Sequence, residues 1–213
     1  AREVYGGRNF NGYGLGWGTT EYHGKQMVSH TGGYDGMYSA VTMLPTEKIG
    51  VVILTNTMDG IGTLLSYEII DRLLGLPQQD WKNRGINQDK GHWADRAARI
   101  KERTDARIMG TKPSMDVVAI SGLYRCPLFG DIRILEENGK LTIDFVHSPQ
   151  LKARLSHWHN DTYQLEWLEE QAWFEFGTVQ IQMNNSGKPS GLLFDVPNDD
   201  IFFEEIKAVR VTP

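Results

Sequence analysis

An imidazole between two hydroxyls and ahead of two glycines, Ser29-His30-Thr31-Gly32-Gly33, is the stretch of this chain best suited to chemistry. Imidazole can hold or pass a proton near neutral pH. The small residues after it would let a bound group approach the backbone, where an N–H can stabilise negative charge developing on an oxygen during acyl transfer. A histidine before a glycine turn at a strand end is the plain alternative. His157-x-His159 on a strand would put both imidazoles on one side with Asp161 nearby, which suits zinc. No clear set of further ligands accompanies them, so no metal is expected. Glycines 12, 14, 16 and 18 match neither the dinucleotide nor the Walker pattern. Their period of two predicts one face of a strand and close backbone packing.

The elements that must position these residues fall into three parts, at 1–77, 78–116 and 117–213. Residues 10–56 carry strand patterns with turn signals at His23-Gly24-Lys25 and Pro45-Thr46-Glu47-Lys48, an antiparallel meander. Residues 59–74 read as a helix capped by Asp59, with Ile61, Leu64, Leu65, Ile69, Leu73 and Leu74 at helical spacing and a stop at Gly75 and Pro77. The connector is polar and charged, with Trp93, Ala97, Ile100 and Ile108 as scattered apolar anchors, and its Asp95–Arg107 stretch alternates charge sign and predicts a solvent-facing helix. From Val118 the period changes to two. Ile132–Ile134 and Leu141–Phe145 flank Asn138-Gly139, the strongest short hairpin signal, because both turn residues need positive φ. Further strands are predicted at 151–158, 162–168, 173–176, 178–183, 191–196 and 201–206. About eight short strands at regular spacing argue for a closed antiparallel barrel, since closure removes exposed edges. The aromatic residues between Tyr163 and Phe203 are expected to fill its core.

Tyr13-Gly14-Leu15-Gly16-Trp17, then His30-Thr31-Gly32-Gly33, then Gly50-Val51-Val52-Ile53-Leu54-Thr55-Asn56 follow one another in an order that resembles the C-terminal part of the class C β-lactamase, DD-peptidase and esterase superfamily. The likeness is to members with His-Thr-Gly-Gly in place of Lys-Thr-Gly. It implies an α+β fold in which a partial β-lactamase/transpeptidase-like lobe, antiparallel strands plus a C-terminal helix, precedes a small, lipocalin-like antiparallel β-barrel. It also implies a serine hydrolase of the penicillin-binding-protein kind, acting through an acyl-enzyme on a peptide, β-lactam or ester. On that resemblance Gly33 supplies the oxyanion donor, His30 and Thr31 position the reacting groups, and Thr31 and Gly32 bind substrate; His30 is expected to act as a neutral hydrogen-bonding group near the reacting centre, the alternative being a cation for a substrate carboxylate. The second half, including Leu155-Ser156-His157-Trp158-His159-Asn160-Asp161-Thr162-Tyr163, resembles the uncharacterised β-domain that often follows such a lobe.

The superfamily's nucleophile comes from Ser-x-x-Lys, where one helical turn sets an amine beside the hydroxyl it activates, and its tyrosine from Tyr-x-Asn. No serine of this chain has lysine three positions later, and no Tyr-x-Asn occurs. The expectation is therefore a chain inactive alone, whose partner is a missing N-terminal lobe or a second copy. A start at Ala1-Arg2-Glu3 also reads as a processed or truncated piece. The net charge of -5, with Asp95, Glu102 and Asp105 breaking up the connector's arginines, argues against nucleic acid. No run approaches the roughly 20 apolar residues of a membrane helix. A single cysteine, Cys126, excludes an internal disulfide framework, and no cofactor is expected. The resemblance implies a periplasmic or extracellular setting. The alternative function is a non-catalytic binding module in which the barrel holds a ligand or partner.

Overall fold

The computed structural model of the chain describes residues 10–34 and 36–211. The first nine residues of the expected lobe and the last two of the expected barrel lie outside them. Two compact units divide after Ala94.

The first unit is a meander of five strands, β1 Asn11–Gly14, β2 Trp17–Tyr22, β3 Lys25–Tyr34, β4 Met37–Leu44 and β5 Ile49–Thr55, each paired antiparallel with its neighbours in sequence. Two-residue turns join β1 to β2 and β2 to β3. Leu15 and Gly16 have φ of 53° and 82°, and His23 and Gly24 51° and 77°, the positive values whose twist matches that of the flanking strands. The alternating glycines do not share one strand face as expected, because the Leu15-Gly16 turn interrupts them. Gly12 and Gly14 pair with Thr19 and Trp17, whereas Gly18 pairs with Tyr13 and so lies on the opposite face. Close packing holds for two of the four: a Cβ on Gly12 would lie 3.2 Å from Thr19 Cγ2, and one on Gly18 3.3 Å from the Ser29 carbonyl.

Helix α1, Ile61–Leu73, covers one face of this sheet. The cap lies one residue later than expected, at Gly60, with Asp59 still accepting from the Ile61 N–H at 3.3 Å. Its stop is a Schellman motif: Gly75, φ 66°, donates to Arg72 O and Leu76 to Asp71 O. The buried arc differs from the one its large apolar residues predict. Leu64 is buried, but Ile61, Leu65 and Leu73 are exposed, and Gly62, Ser66, Tyr67, Ile70 and Asp71 turn inward instead. Small residues explain this, since a Cβ on Gly62 would already touch Ala40 and Ile53 at 3.4 and 3.5 Å. Helix and sheet meet too closely there for leucine.

Helix α2, Trp81–Asp105, begins in this unit. Its start lies well before the predicted Asp95, behind an Asp80 cap that accepts the Asn83 N–H at 3.1 Å. Trp81 is buried, stacked 5.0 Å from Tyr67. Its indole N–H donates at 2.7 Å to one oxygen of Asp71, and Tyr22 from β2 donates at 2.5 Å to the other. A fully buried carboxylate thus joins sheet, α1 and α2.

Burial and the Asp71 carboxylate push the Tyr22 phenol far above the usual tyrosine range. The unfolded chain ionises this phenol at about pH 10 and the folded chain does not, so the stability it contributes is whole below about pH 10 and is lost as pH rises beyond it. Tyr22→Phe is expected to flatten that alkaline fall in urea titrations. Asp71→Ala, which removes the acceptor of both donors, is expected to cost about 2–5 kcal/mol at neutral pH.

The second unit is a closed eight-stranded antiparallel barrel with every strand beside its sequence neighbours: β6 Gly122–Cys126, β7 Gly130–Glu137, β8 Lys140–Phe145, β9 Lys152–His159, β10 Thr162–Trp167, β11 Thr178–Met183, β12 Pro189–Asp195 and β13 Ala208–Arg210. A short helix α3, Val117–Ile120, precedes it. Asn138 and Gly139 form the predicted turn with φ 55° and 75°. Six predicted strands are present, and two are not. Residues 173–176 form an irregular connection that buries Phe174 and Phe176, and 201–206 holds a 3-10 turn, Phe203–Glu205. The missing places are taken by β6 and β13, which pair to close the seam. The interior is filled by Tyr124, Ile132, Ile143, Leu165, Val179 and their neighbours. Phe203 packs beside Phe145, Trp167, Phe174 and Phe194, while Phe202 points to solvent.

The C-terminal half of α2 belongs to this unit, and arginines anchor it where apolar residues were expected. Ala97 and Ile108 are exposed. Arg96, Arg99, Arg103 and Arg107 recur at three- and four-residue spacing, one face of a helix at 107's extension. Arg99 pairs with Asp199 at 2.8 Å, Arg103 with Asp195 at 2.8 Å, and Arg96, itself buried, with Glu175 at 3.7 Å. Arg107 donates to the carbonyls of Trp158 and His157 at 2.9 and 3.2 Å and lies 4.4 Å over the Trp158 ring. Arg107→Ala is expected to destabilise this unit by about 1.5–3 kcal/mol, and Arg107→Lys to recover only part, because an ammonium cannot serve two carbonyls and a ring face together. Thermal unfolding followed by tryptophan fluorescence measures both.

Candidate active site

Ten-residue β3 outruns β2. β2 pairs with it from Tyr22↔Lys25 to Gly18↔Ser29, while β4 continues alongside to Tyr34↔Met37. Among the described residues β3 therefore has a strand on one edge only from His30 onward. Which backbone groups meet that open edge follows from hairpin parity. In an antiparallel pair, residues alternate between exchanging hydrogen bonds with the partner strand and pointing those groups away from it. The two-residue turn after Tyr22 makes Lys25 a bonded partner of β2, so residues 25, 27 and 29 point their N–H and C=O toward β2. Thr31 and Gly33 continue that series where β2 has ended, and their N–H groups face the open edge. Two contacts agree with this parity: the Gly32 carbonyl lies toward β4, 3.4 Å from the Ser39 hydroxyl, and the Tyr38 carbonyl faces β5, accepting from Thr55 at 3.1 Å.

Side chains alternate between the two faces of the sheet. Ala40, Ile53 and Tyr38 lie under α1 near Gly62. His30, paired with Val41 and through it Val52, belongs to the other face, as does Gly32, paired with Ser39 and through it Leu54. That face carries exposed Val52 and Leu54. His30, Thr31 and Gly32 are exposed and Gly33 is half-buried. The four predicted site residues thus lie along one strand segment, with donors at the edge and an imidazole on the uncovered face. Lys25, on the same strand, sits at its far end and is bound to Glu47 at 2.8 Å.

Two neighbours of His30 were not foreseen. The Tyr13 hydroxyl lies 3.2 Å from His30 Nε2, and Trp17 stands edge-on to the imidazole with ring centroids 6.3 Å apart. The Leu15-Gly16 turn was the signal that could have found them, because it folds the Tyr-Gly-Leu-Gly-Trp run into a hairpin beside β3.

His157 and His159 of the second unit have other partners. His157 Nε2 is 2.9 Å from the Asn160 carbonyl, and His159 Nδ1 accepts the Ile108 N–H at 3.2 Å. Asp161 accepts the N–H and hydroxyl of Ser114, both at 2.8 Å, and the Asn160 N–H donates to Thr111 at 2.8 Å. The turn is a socket for residues 107–114. Among the described residues no group of three or more His, Cys, Asp or Glu is placed to hold a metal.

Residues 1–73 match the β-lactamase family model, and residues 106–210 match DUF3471, a domain of unknown function. The unguisins hydrolase ungD of Aspergillus violaceofuscus (strain CBS 115571) is 41% identical over 71 residues, covering 32% of this chain and 12% of that protein. The unguisins hydrolase ungD' of Aspergillus campestris (strain IBT 28561) is 35% identical over 75 residues, covering 32% and 14%. The matched stretch is therefore a small part of either relative's length. Among solved structures, SurE with D-Leu aligns at 14% identity and a TM-score of 0.35 over 94% of this chain and 39% of its own. The octameric penicillin-binding protein homologue from Pyrococcus abyssi aligns at 13% and 0.32 over 95% and 37%. By these two matches the chain is similar to the β-lactamase family over residues 1–73 and to DUF3471 over residues 106–210.

Proposed function

We propose that this chain supplies one wall of the cleft of a serine hydrolase that works through an acyl-enzyme on a peptide, β-lactam or ester. The observation that carries the reading is the edge of β3 left unpaired among the described residues, where the Thr31 and Gly33 N–H groups face outward beside an exposed imidazole. A substrate laid along such an edge is held by main-chain hydrogen bonds and has little side chain to avoid at Gly32 and Gly33. Gly33 N–H is the donor for the oxyanion, Thr31 and Gly32 bind the substrate backbone, and His30 acts at the reacting centre. The relatives' names support hydrolysis as the reaction class. With no Ser-x-x-Lys in these 213 residues, the serine comes from polypeptide outside them. The uncovered face with Val52 and Leu54 is the surface on which that polypeptide, or a second copy of this chain, would pack.

Proline at position 33 tests the oxyanion role without dismantling the sheet, because the Gly33 N–H points away from β4 and no ladder bond is lost. In a catalytically complete protein, Gly33→Pro is expected to lower kcat by about 10²–10³ with the fold retained. Unchanged turnover would remove Gly33 from the mechanism. In this chain alone, incubation with a reactive β-lactam followed by mass spectrometry is expected to leave every serine unmodified. A stable acyl adduct on any of them would place the nucleophile within residues 1–213 and overturn its assignment elsewhere.

A further inference from the structure

We infer that Tyr13 is a positioning residue for His30, holding the neutral imidazole in the tautomer that carries its proton on Nδ1. The inference rests on the reading of β3 as a cleft wall. The Tyr13 hydroxyl and His30 Nε2 are 3.2 Å apart, across 17 residues of sequence that the β1–β2 hairpin folds back. Tyr13 is 71% exposed and contributes little to the core, so its contact with the imidazole is not a by-product of packing. Trp17, edge-on at 75° to the same ring, restricts its rotation from a second side. The ring planes of Tyr13 and His30 are tilted by 46°. The two rings are not stacked, and the polar contact is what joins them.

The hydrogen bond has a preferred sense. A neutral phenol is a stronger acid than a neutral imidazole N–H, and the bare imidazole nitrogen is a better acceptor than a phenol oxygen, so O–H donates to Nε2. The tautomer of a histidine is set by the bond its other nitrogen makes. With Nε2 occupied as acceptor, the proton resides on Nδ1, and His30 offers the cleft an N–H donor. It does not offer a base. The group it recognises is then an oxygen acceptor, a carbonyl or carboxylate of the substrate, and a substrate ammonium has no partner there. This differs from a lysine at the same position in one respect that matters: the donor works without a net charge, so a neutral carbonyl is accepted as readily as a carboxylate.

The test uses this chain labelled with nitrogen-15, its His30 ring nitrogens observed by long-range nitrogen–proton correlation at alkaline pH, where imidazoles are neutral. Protonated Nδ1 and acceptor Nε2 are expected, and Tyr13→Phe, which keeps the ring and removes the hydroxyl, is expected to shift the population toward the Nε2-protonated form. Backbone amide spectra unchanged away from the hairpin show that the fold is kept. An Nε2-protonated His30 in the unmodified chain, or ring signals unaffected by Tyr13→Phe, would overturn the inference. Its failure is separable from failure of the cleft reading, which is probed by His30→Ala in a catalytically complete protein. Loss of turnover there with no effect of Tyr13→Phe on the tautomer would sink only the positioning role. Full turnover in His30→Ala would sink the cleft role of His30, whatever the tautomer.

Discussion

A strand has two edges and two faces, and the two-residue turn at His23-Gly24 settles which backbone groups of β3 go where. Everything at the candidate site follows from that parity. One residue more in the turn, or a bulge before Ser29, would turn the Thr31 and Gly33 amides toward β4 and move His30 to the α1 face. Positive φ at both His23 and Gly24 is therefore a constraint on which groups β3 presents at its edge as well as a local one. The end of β2 at Trp17 is the second half of the same device, since a longer β2 would occupy the donors that β3 leaves open. The hairpin that cuts β2 short also delivers Tyr13 and Trp17 to the imidazole.

Both units hold a helix in place with polar groups. In the first, the Asp71 carboxylate receives Tyr22 and Trp81 inside a core of aromatic rings. In the second, four arginines reach carboxylates, carbonyls and a tryptophan face from one side of α2 and its extension. Apolar burial would tolerate many rotations of a helix on a sheet, whereas a carboxylate with two donors, or a guanidinium between two carbonyls, accepts few. Such contacts are costly to leave half-made. Their effect is to select one packing, and in the first unit the selected packing fixes the sheet whose middle strand carries the candidate site residues.

The strand period, the Asn138-Gly139 turn and the Gly75 stop were legible because each is a local rule written in adjacent residues. The eight-strand barrel was legible for a partly different reason from the one first given, since its count includes β6 and β13 in place of 173–176 and 201–206. Those two segments carry aromatic side chains into the core from irregular backbone, and alternation alone cannot separate that from a strand. The buried arc of α1 was misread because leucine and isoleucine dominate a periodicity count, while Gly62 and Ser66 decide how near the helix can come. The arginine stripe was read as a solvent face for a similar reason: its partners, Asp195, Asp199, Glu175 and the Trp158 ring, are distant in sequence. His30 to Gly33 could be picked out as a motif, but their open edge depends on where β2 stops, which no single residue states.

Exposed strand edges invite pairing with other chains, and proteins usually guard them with charge, proline, a bulge or a covering element. Among the described residues the edge from His30 to Tyr34 has no proline and no pairing strand: its residues are His, Thr, Gly, Gly and Tyr, and the face beside it carries Val52 and Leu54 in the open. The barrel, by contrast, has closed its seam through β6 and β13, with Arg210 donating to the Ser121 carbonyl and the Tyr124 hydroxyl at 2.7 and 3.0 Å. The first sheet is open at its outer strands β1 and β5 as well as along this segment of β3 among the described residues. Glycine at 32 and 33 leaves the backbone of that segment open to close approach. This is what the proposed role of the segment asks for: a substrate bound along it would be read through its own main-chain or carbonyl groups, and an acyl substrate presents such a group at the bond to be broken.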